Sequence, residues 1–360
     1  MRIAQVAPLF EAVPPKLYGG TERVVHWLTE ALVDLGHDVT LFASGDSQTS
    51  ARLEPVWPQA LRLAPVRDWV APCIHQVEYV AQRAHAFDVL HFHIDYWPNS
   101  TFSRMGLPFV TTLHGRLDLP EYGAAFGSFP NVPVVSISNN QRLPIPELNW
   151  AATIHHGMPV GLLRPAPSKA AAPYLAFLGR VAPEKRVDCA IAIAGAAGMN
   201  LKIAAKIDIA DQKYFDADIR HLFALPHVDY IGEINDAQKT GFLSDAAALL
   251  LPIDWEEPFG LVMIEAMACG CPVIAFRRGS VPEVIEDGVT GFIVDDVAGA
   301  IAACGKLHTL DRRRVRARFE ERFSSRRMAQ DYVAVYEKLI AGQTVIPSVR
   351  SKELLSLAAD

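Results

Sequence analysis

No run of about 18 apolar residues occurs in the chain, so no segment is expected to span a bilayer. The stretch Met1–Ala7 is too short for a signal peptide, and Pro8 follows at once. Cysteine is sparse and odd in number, with five residues at 73, 189, 269, 271 and 304. That suits a reducing cytosol better than a disulfide framework. Cys269 and Cys271 flank one glycine with no second pair, so no metal site is expected there. An excess of positive charge is also missing. Lys and Arg number 34 against 40 Asp and Glu, for a net charge of −6. The chain as a whole has no pull toward nucleic acid or an anionic membrane. Finally, no G-x-G-x-x-G follows the first apolar strand pattern, which argues against a nicotinamide-dependent oxidoreductase.

What is present is a large apolar complement, 50% of 360 residues, more than one core usually holds. Continuous apolar runs, the mark of parallel strands covered on both faces, recur at Arg2–Ala7, Val39–Ala43, Asp88–His93, Phe109–His114, Val134–Ser138 and Thr153–His155. Between the first two, Val24, Val25, Leu28, Ala31, Leu32 and Leu35 recur at helical spacing. A Pro- and Ala-rich linker over Leu163–Pro173 follows, and the pattern restarts. Further strands are expected at Tyr174–Leu178, Leu201–Ala205, Val228–Ile231, Ala248–Leu251, Val273–Ala275 and Phe292–Val294, with helices between, one of them over Gln212–Leu222. Two βα series in succession predict an α/β fold of two doubly wound domains, with ligands in the cleft between them at the carboxyl ends of the strands.

Four stretches just after predicted strands carry polar or glycine-rich residues. Gly19-Gly20-Thr21-Glu22 precedes a helix and lets backbone amides approach an anion, or serves only as a turn with a Thr cap. Arg180 and Lys185 leave a strand end together; two permanent cations there suit a diphosphate, or are surface charges. Glu257-Pro258-Phe259-Gly260-Leu261 leads into a helix that carries Glu265 on its apolar stripe. A carboxylate in that setting is costly unless partnered, and ligand hydroxyls are suitable partners. His114, beside Gly115 at a strand end, would donate a hydrogen bond to a substrate hydroxyl.

Other groups are weighed and set aside. His91, His93 and Asp95 share one strand face, as a metal triad would, and are read instead as lining the cleft or packing at the strand end. Asp216-Ala217-Asp218 falls in the expected helix, where the two carboxylates point apart. The tail Asp311–Arg327 holds eight arginines. It reads as a solvated helix face, with a membrane-surface or acidic-acceptor contact as the alternative.

On these motifs the chain resembles glycosyltransferase family 4, retaining enzymes of the GT-B fold. The resemblance runs from Met1 to about Ile340, and its most specific part, Glu257–Val273, resembles the family's E-x7-E segment. Residues 177–185, 19–22 and 280–291 support it. It implies two facing Rossmann-like domains: 1–165 on the acceptor side, 166–324 on the nucleotide-sugar side, a helix over 325–345 crossing back to the first domain, and a tail at 346–360. It further implies a hexosyl-type transferase that moves a sugar from a nucleoside-diphosphate donor to a carbohydrate or lipid-linked acceptor. No nucleic acid, no bound cofactor and no required metal are expected. The place of action would be the cytoplasm, at the inner face of the membrane if the acceptor is lipid-linked.

By the same resemblance, Arg180 and Lys185 would hold the diphosphate, with Gly20 against it from the other domain. Phe259, Gly260 and Leu261 would offer amides to sugar or phosphate oxygens. Glu265 would bind the ribose, and Glu257 and His114 would contact the transferred sugar. The chain departs from the family at Lys185-Arg186, His156-Gly157 and Gly279-Ser280, where Lys-Gly, Asn-Gly and Gly-Gly are common. A GT-B sugar-nucleotide epimerase and a non-catalytic carbohydrate-binding protein are the rival readings.

Overall fold

A computed structural model describes residues 1–16, 19–167 and 172–343. The tail at 346–360 and the middle of the linker lie outside the described residues. Two parallel sheets make up the molecule. The first runs in the order β3-β2-β1-β4-β5-β6-β7, with β1 at Arg2–Val6, β2 at Asp38–Ser44, β3 at Arg52–Trp57, β4 at Val89–Phe92, β5 at Phe109–Thr112, β6 at Val134–Ser136 and β7 at Trp150–Thr153. The second runs β10-β9-β8-β11-β12-β13, from β8 at Tyr174–Arg180, β9 at Asn200–Lys206, β10 at Val228–Gly232, β11 at Ala246–Leu251, β12 at Val273–Phe276 and β13 at Gly291–Val294.

β4, β5 and β6 are buried along their whole length, as apolar runs between two helical layers should be. Two strands differ from expectation. β3 has no apolar run and contains Pro55; it is an edge strand, where a missing N–H costs no ladder bond. β7 starts at Trp150, ahead of the expected Thr153–His155, and that frees His155 and His156 to turn toward the domain junction. The expected helix over Gln212–Leu222 breaks into three tighter and wider turns, which still place Phe215 and Ile219 in the core. Asp216 there accepts from Gln212 and Arg220 and faces solvent.

In each sheet the order reverses beside the first strand, at β1/β4 and β8/β11. A crevice opens outside the carboxyl ends of the strands at such a switch point. The loops after β1, β4, β5, β8 and β11 are thus the ones that meet in the cleft. Helix α1, Gly20–Asp34, follows β1 and buries Val24, Val25, Leu28 and Leu32. Helix α2, Asp236–Asp245, precedes β11 and starts on an Asn235–Gln238 capping box. Helix α3, Leu261–Ala268, follows β11.

The last long helix, α4 at Ser325–Gln343, packs on α1 of the first domain. Its Tyr332 and Tyr336 are fully buried there, in a core cluster that also takes in Leu28 and Leu32 of α1 and Phe259 and Met263 of the second domain. One continuous apolar core therefore ties the two sheets together. Arginines hold the segment before and into this helix in place, Arg316 and Arg327 at the junction itself. Arg312 donates to the carbonyls of Ala246 and Ser244, Arg316 to those of Val160, Leu163 and Ala268, Arg322 to those of Glu283 and Val284, and Arg327 to those of His155 and His156. These four guanidiniums staple backbone carbonyls, and Arg318 pairs with Glu286 and Glu321, so the solvated-face reading of this segment fails for most of its arginines.

Candidate functional site

The second domain supplies charge. β8 ends at Arg180, whose guanidinium bonds Glu184 at 2.7 Å and faces Asp211 at 3.3 Å. The following turn carries Lys185, which donates to Glu257; Trp255 donates to the same carboxylate at 3.1 Å, and the Lys185 ammonium lies 4.7 Å from the Trp255 ring centre. Gly260 caps α3 at φ 76° with no side chain on the helix end. The first-turn amides of that helix are left without an intrahelical partner, and they point along a dipole that favours an anion. The preceding loop is pinned by two neighbours. Ser280 Oγ donates to the Phe259 carbonyl at 2.7 Å, which gives the serine of the unusual Gly279-Ser280 pair a task. Gly279 has φ 54°, and a Cβ there would sit 2.3 Å from the Glu257 nitrogen, so a side chain has no room.

Glu265, 4% exposed, accepts from Lys239 at 2.6 Å. Lys239 also faces Asp236 at 3.3 Å, and Asp236 accepts from Arg23 of α1 at 2.6 Å. The buried carboxylate thus already has a partner within the chain, and the relay Glu265–Lys239–Asp236–Arg23 crosses from one domain to the other. A second crossing runs through Glu283, which accepts from the Asn139 and Asn140 amides at 2.7 and 2.8 Å and from His155 at 3.1 Å. Lys239 and Asp236 had no signal in the sequence; 26 residues separate Lys239 from Glu265.

Around His114 the first domain supplies neutral groups. Behind His114 runs a buried hydrogen-bonded chain: His114 Nε2 to His93 Nδ1 at 2.8 Å, His93 Nε2 to Gln5 Oε1 at 2.9 Å, Gln5 Nε2 to Tyr336 Oη at 3.0 Å, and Tyr336 Oη to His91 Nδ1 at 2.7 Å. His91 Nε2 continues to Thr112 at 2.7 Å, and Thr112 to Tyr332 at 2.9 Å. Desolvation holds His91, His93 and His156 well below the usual histidine range and pushes His114 down to about 3, so all four rings are neutral at pH 7.

A neutral chain fixes the protons. Gln5 Oε1 only accepts, so His93 Nε2 carries the hydrogen and His93 Nδ1 accepts from His114 Nε2. His114 Nδ1 is left as a lone pair, buried, with no partner among the described residues. The expected sense of hydrogen bonding is therefore reversed: the open nitrogen of His114 can accept a hydrogen bond and has none to donate. Among the described residues no group of three His, Cys, Asp or Glu side chains is placed to hold a metal ion. The nitrogens of His91 and His93 are taken by Thr112, Tyr336, Gln5 and His114, and burial pushes the thiols of Cys269 and Cys271 up to about 11 and about 12.

All nine residues singled out in the sequence, Gly20, His114, Arg180, Lys185, Glu257, Phe259, Gly260, Leu261 and Glu265, line one interdomain cleft of about 390 Å³. Phe259, 2% exposed, turns its ring away, against His156 at 4.9 Å, so its backbone is what borders the cleft. A second cavity of about 320 Å³ opens in the first domain and shares Gly19, Gly20, Thr21 and His114 with the cleft. Two joined cavities, one charged and one with neutral hydrogen-bonding rings, can bring two substrates to a common edge at His114.

Comparison with known proteins gives this arrangement a family. Residues 18–202 match the family described as Glycosyltransferase Family 4, and residues 164–321 match Glycosyl transferases group 1. The D-inositol 3-phosphate glycosyltransferase of Mycobacterium tuberculosis is 24% identical over 342 aligned positions, 79% of this chain and 67% of the relative. Among solved structures, a glycosyltransferase involved in avilamycin A biosynthesis aligns with a TM-score of 0.70 at 26% identity, covering 95% of this chain and 98% of that one. The sucrose-phosphate synthase of Thermosynechococcus elongatus (TM-score 0.75, 20% identity, 95% and 99% covered) shares the fold. So does Anabaena HepE in complex with UDP and glucose (TM-score 0.72, 19% identity, 94% and 100% covered). No described helix is long and apolar enough to cross a membrane. The chain belongs to glycosyltransferase family 4, as an enzyme of the GT-B fold.

Proposed function

We infer that the chain transfers a hexosyl group, with retention of configuration, from a nucleoside-diphosphate sugar to a hydroxyl of a carbohydrate or lipid-linked acceptor. The observation that carries this reading is the convergence of Arg180, Lys185 and the uncapped start of α3 on one cleft wall, with Glu265 buried a turn further on. Cleavage of the bond from the anomeric carbon to phosphate leaves an oxocarbenium-like sugar and adds negative charge to the diphosphate. Cations and helix amides placed beforehand stabilise that charge as it develops. The acceptor oxygen forms its bond to the anomeric carbon on the face the phosphate leaves, and its proton passes to the departing phosphate oxygen. Arg180 would grip the diphosphate as a fork and Lys185 would act as a point charge. Gly20 would lie against the phosphates from the first domain, and Glu265 would accept from ribose hydroxyls. A UDP complex of a fold relative supports a nucleotide in this cleft.

Charge at the diphosphate comes here from the protein, so we expect activity without an added metal. A thermal-shift screen over UDP, GDP, ADP and their sugars tests the donor reading, since a ligand bound only by the folded state raises its melting temperature. Product formation with the stabilising donor, in EDTA and without it, tests the metal. Complete and reversible loss of activity on chelation would sink the metal-free account. Incubation with donor alone tests the rival reaction: an epimer of the donor would make the protein an epimerase.

A further inference from the structure

The transfer reading leaves the acceptor open, and the first-domain cavity narrows it. This cavity of about 320 Å³ is at the lower end of small-molecule sites (roughly 300–1,000 Å³), room for a sugar and not for a folded chain. Two carboxylates line it. Glu22 is 6% exposed; its own backbone amide bonds its carboxylate, and no described side chain does. Asp95 follows β4 with φ 49°, in the left-handed region that aspartate enters more readily than most residues. Its carboxylate has no hydrogen-bond partner among the described residues.

The one guanidinium on the wall, Arg62, is already taken by buried Glu11 at 3.1 Å. His93 and His114 are neutral, as derived above. Leu9, Phe10 and Trp97 supply apolar wall against which the CH face of a sugar ring can lie. Burial lifts Glu22 and Asp95 to about 6, still below neutral, so both are ionised at pH 7. A carboxylate with acceptor positions left open in such a cavity calls for donors, and sugar hydroxyls are donors. A phosphate would meet two like charges in a desolvated space, with no free cation among the described lining residues to offset them.

We propose that this cavity is the acceptor subsite and takes the non-anionic, polyhydroxylated end of a carbohydrate, with Glu22 and Asp95 accepting from its hydroxyls and His114 Nδ1 accepting at the edge shared with the donor. The subsite rejects an acceptor phosphorylated at the end that enters. This rests on the transfer reading, and it names the acceptor class for that site.

The test uses saturation-transfer NMR on the full chain, with glucose, mannose, galactose and myo-inositol each offered beside its monophosphate. The neutral member of a pair is expected to bind at least tenfold more tightly than its phosphate. In a Glu22→Gln, Asp95→Asn double variant that preference should shrink several-fold, because the amides donate as well as accept and no longer repel an anion. Both changes remove charge without changing shape, and circular dichroism with the melting temperature checks the fold. A phosphate bound as well as its neutral partner overturns the proposal. So does an absence of binding by every neutral sugar, or a preference unchanged in the double variant. Calorimetry with nucleoside diphosphate on the same samples reports on the donor cleft alone, so failure of the transfer reading registers there and not in the sugar pairs.

Discussion

The two walls of the cleft are built from opposite materials. On the second-domain side every functional candidate with a charge is held by an opposite one: Arg180 by Glu184 and Asp211, Lys185 by Glu257, Lys239 by Glu265. On the first-domain side the rings of His91, His93, His114 and His156 are neutral, and Gln5 locks His93 and His114 into one hydrogen-bond sense. The difference teaches a division of labour. Paired charges keep a cleft stable while empty, and their partners can be exchanged for ligand oxygens. A desolvated neutral chain cannot exchange anything cheaply, so it fixes geometry.

The sharpest way to break this division is to remove charge from the wall that should supply it. Arg180→Ala is expected to lower kcat/KM about 10²–10³-fold, the usual cost of a lost donor to developing transition-state charge. His93→Gln, on the other wall, keeps a hydrogen bond to His114 and should cost less than tenfold. Initial rates with the donor found by thermal shift measure both. Equal losses would mean that both walls carry the charge.

Acid should distinguish the walls next. The depressed histidines bind a proton when unfolded, near pH 6.5, and refuse it when folded, so their contribution is present above that pH and is lost as pH falls. Each costs about 1.4 kcal/mol per pH unit below it. Glu22 and Asp95, raised to about 6, act with the opposite sign: their stability is gained as pH falls through that value. Four histidines against two carboxylates leave a net loss on the order of 2–3 kcal/mol per pH unit below about 6. Urea midpoints at pH 7.5 and 5.0 should show it, and a flat profile would mean the histidine chain is wet or charged.

Within the charged wall, the two glutamates should part. Glu265→Ala is expected to weaken nucleoside diphosphate binding by roughly 1.5–3 kcal/mol, since it removes charged hydrogen bonds and leaves half-buried Lys239 with Asp236 alone. Glu257→Ala should lower kcat and leave diphosphate affinity unchanged or improved, because it releases Lys185 toward the phosphates. Calorimetry beside initial rates separates the two. Loss of diphosphate affinity in Glu257→Ala as severe as in Glu265→Ala would exchange their roles.

Much of this was legible before any coordinates, because parallel strands advertise themselves as apolar runs and the cleft gathers the residues just beyond them. The nine residues drawn from those loops do share one cleft. What escaped was long-range pairing. Edge strand β3 has no periodicity to read, with Pro55 in its middle. Lys239 looks like any surface lysine until α2 is laid beside α3. The arginine-rich segment read as solvated because charge density gives no hint that Arg312 and Arg322 bond backbone carbonyls of their own domain while Arg316 and Arg327 reach carbonyls of the first. Gln5 and Tyr336, 331 positions apart, meet only because α4 returns to the first sheet.

The smallest expected effect concerns Arg186, where a glycine is common in the family. The residue has φ 52°, in the left-handed region, at the turn that presents Lys185 to the cleft. A side chain there costs about 1 kcal/mol relative to glycine. Arg186 offsets this with a two-point contact on Asp188, at 3.0 and 3.1 Å, which raises the guanidinium pKa. Both side chains are about one-third exposed, so solvent screens the pair to roughly 0–1 kcal/mol. Strain and pair nearly cancel, and a glycine's extra freedom in the unfolded chain costs a few tenths more. Arg186→Gly should therefore move stability by less than about 1 kcal/mol, whereas Arg186→Ala, which keeps the strain and loses the pair, should be the less stable of the two. Turnover should be unchanged in both, because the charges that face the donor belong to Arg180 and Lys185. Urea midpoints of the two variants settle the order. An alanine variant more stable than the glycine variant would mean that backbone strain is not what the arginine contact offsets, and a fall in turnover would extend the charged wall by one residue.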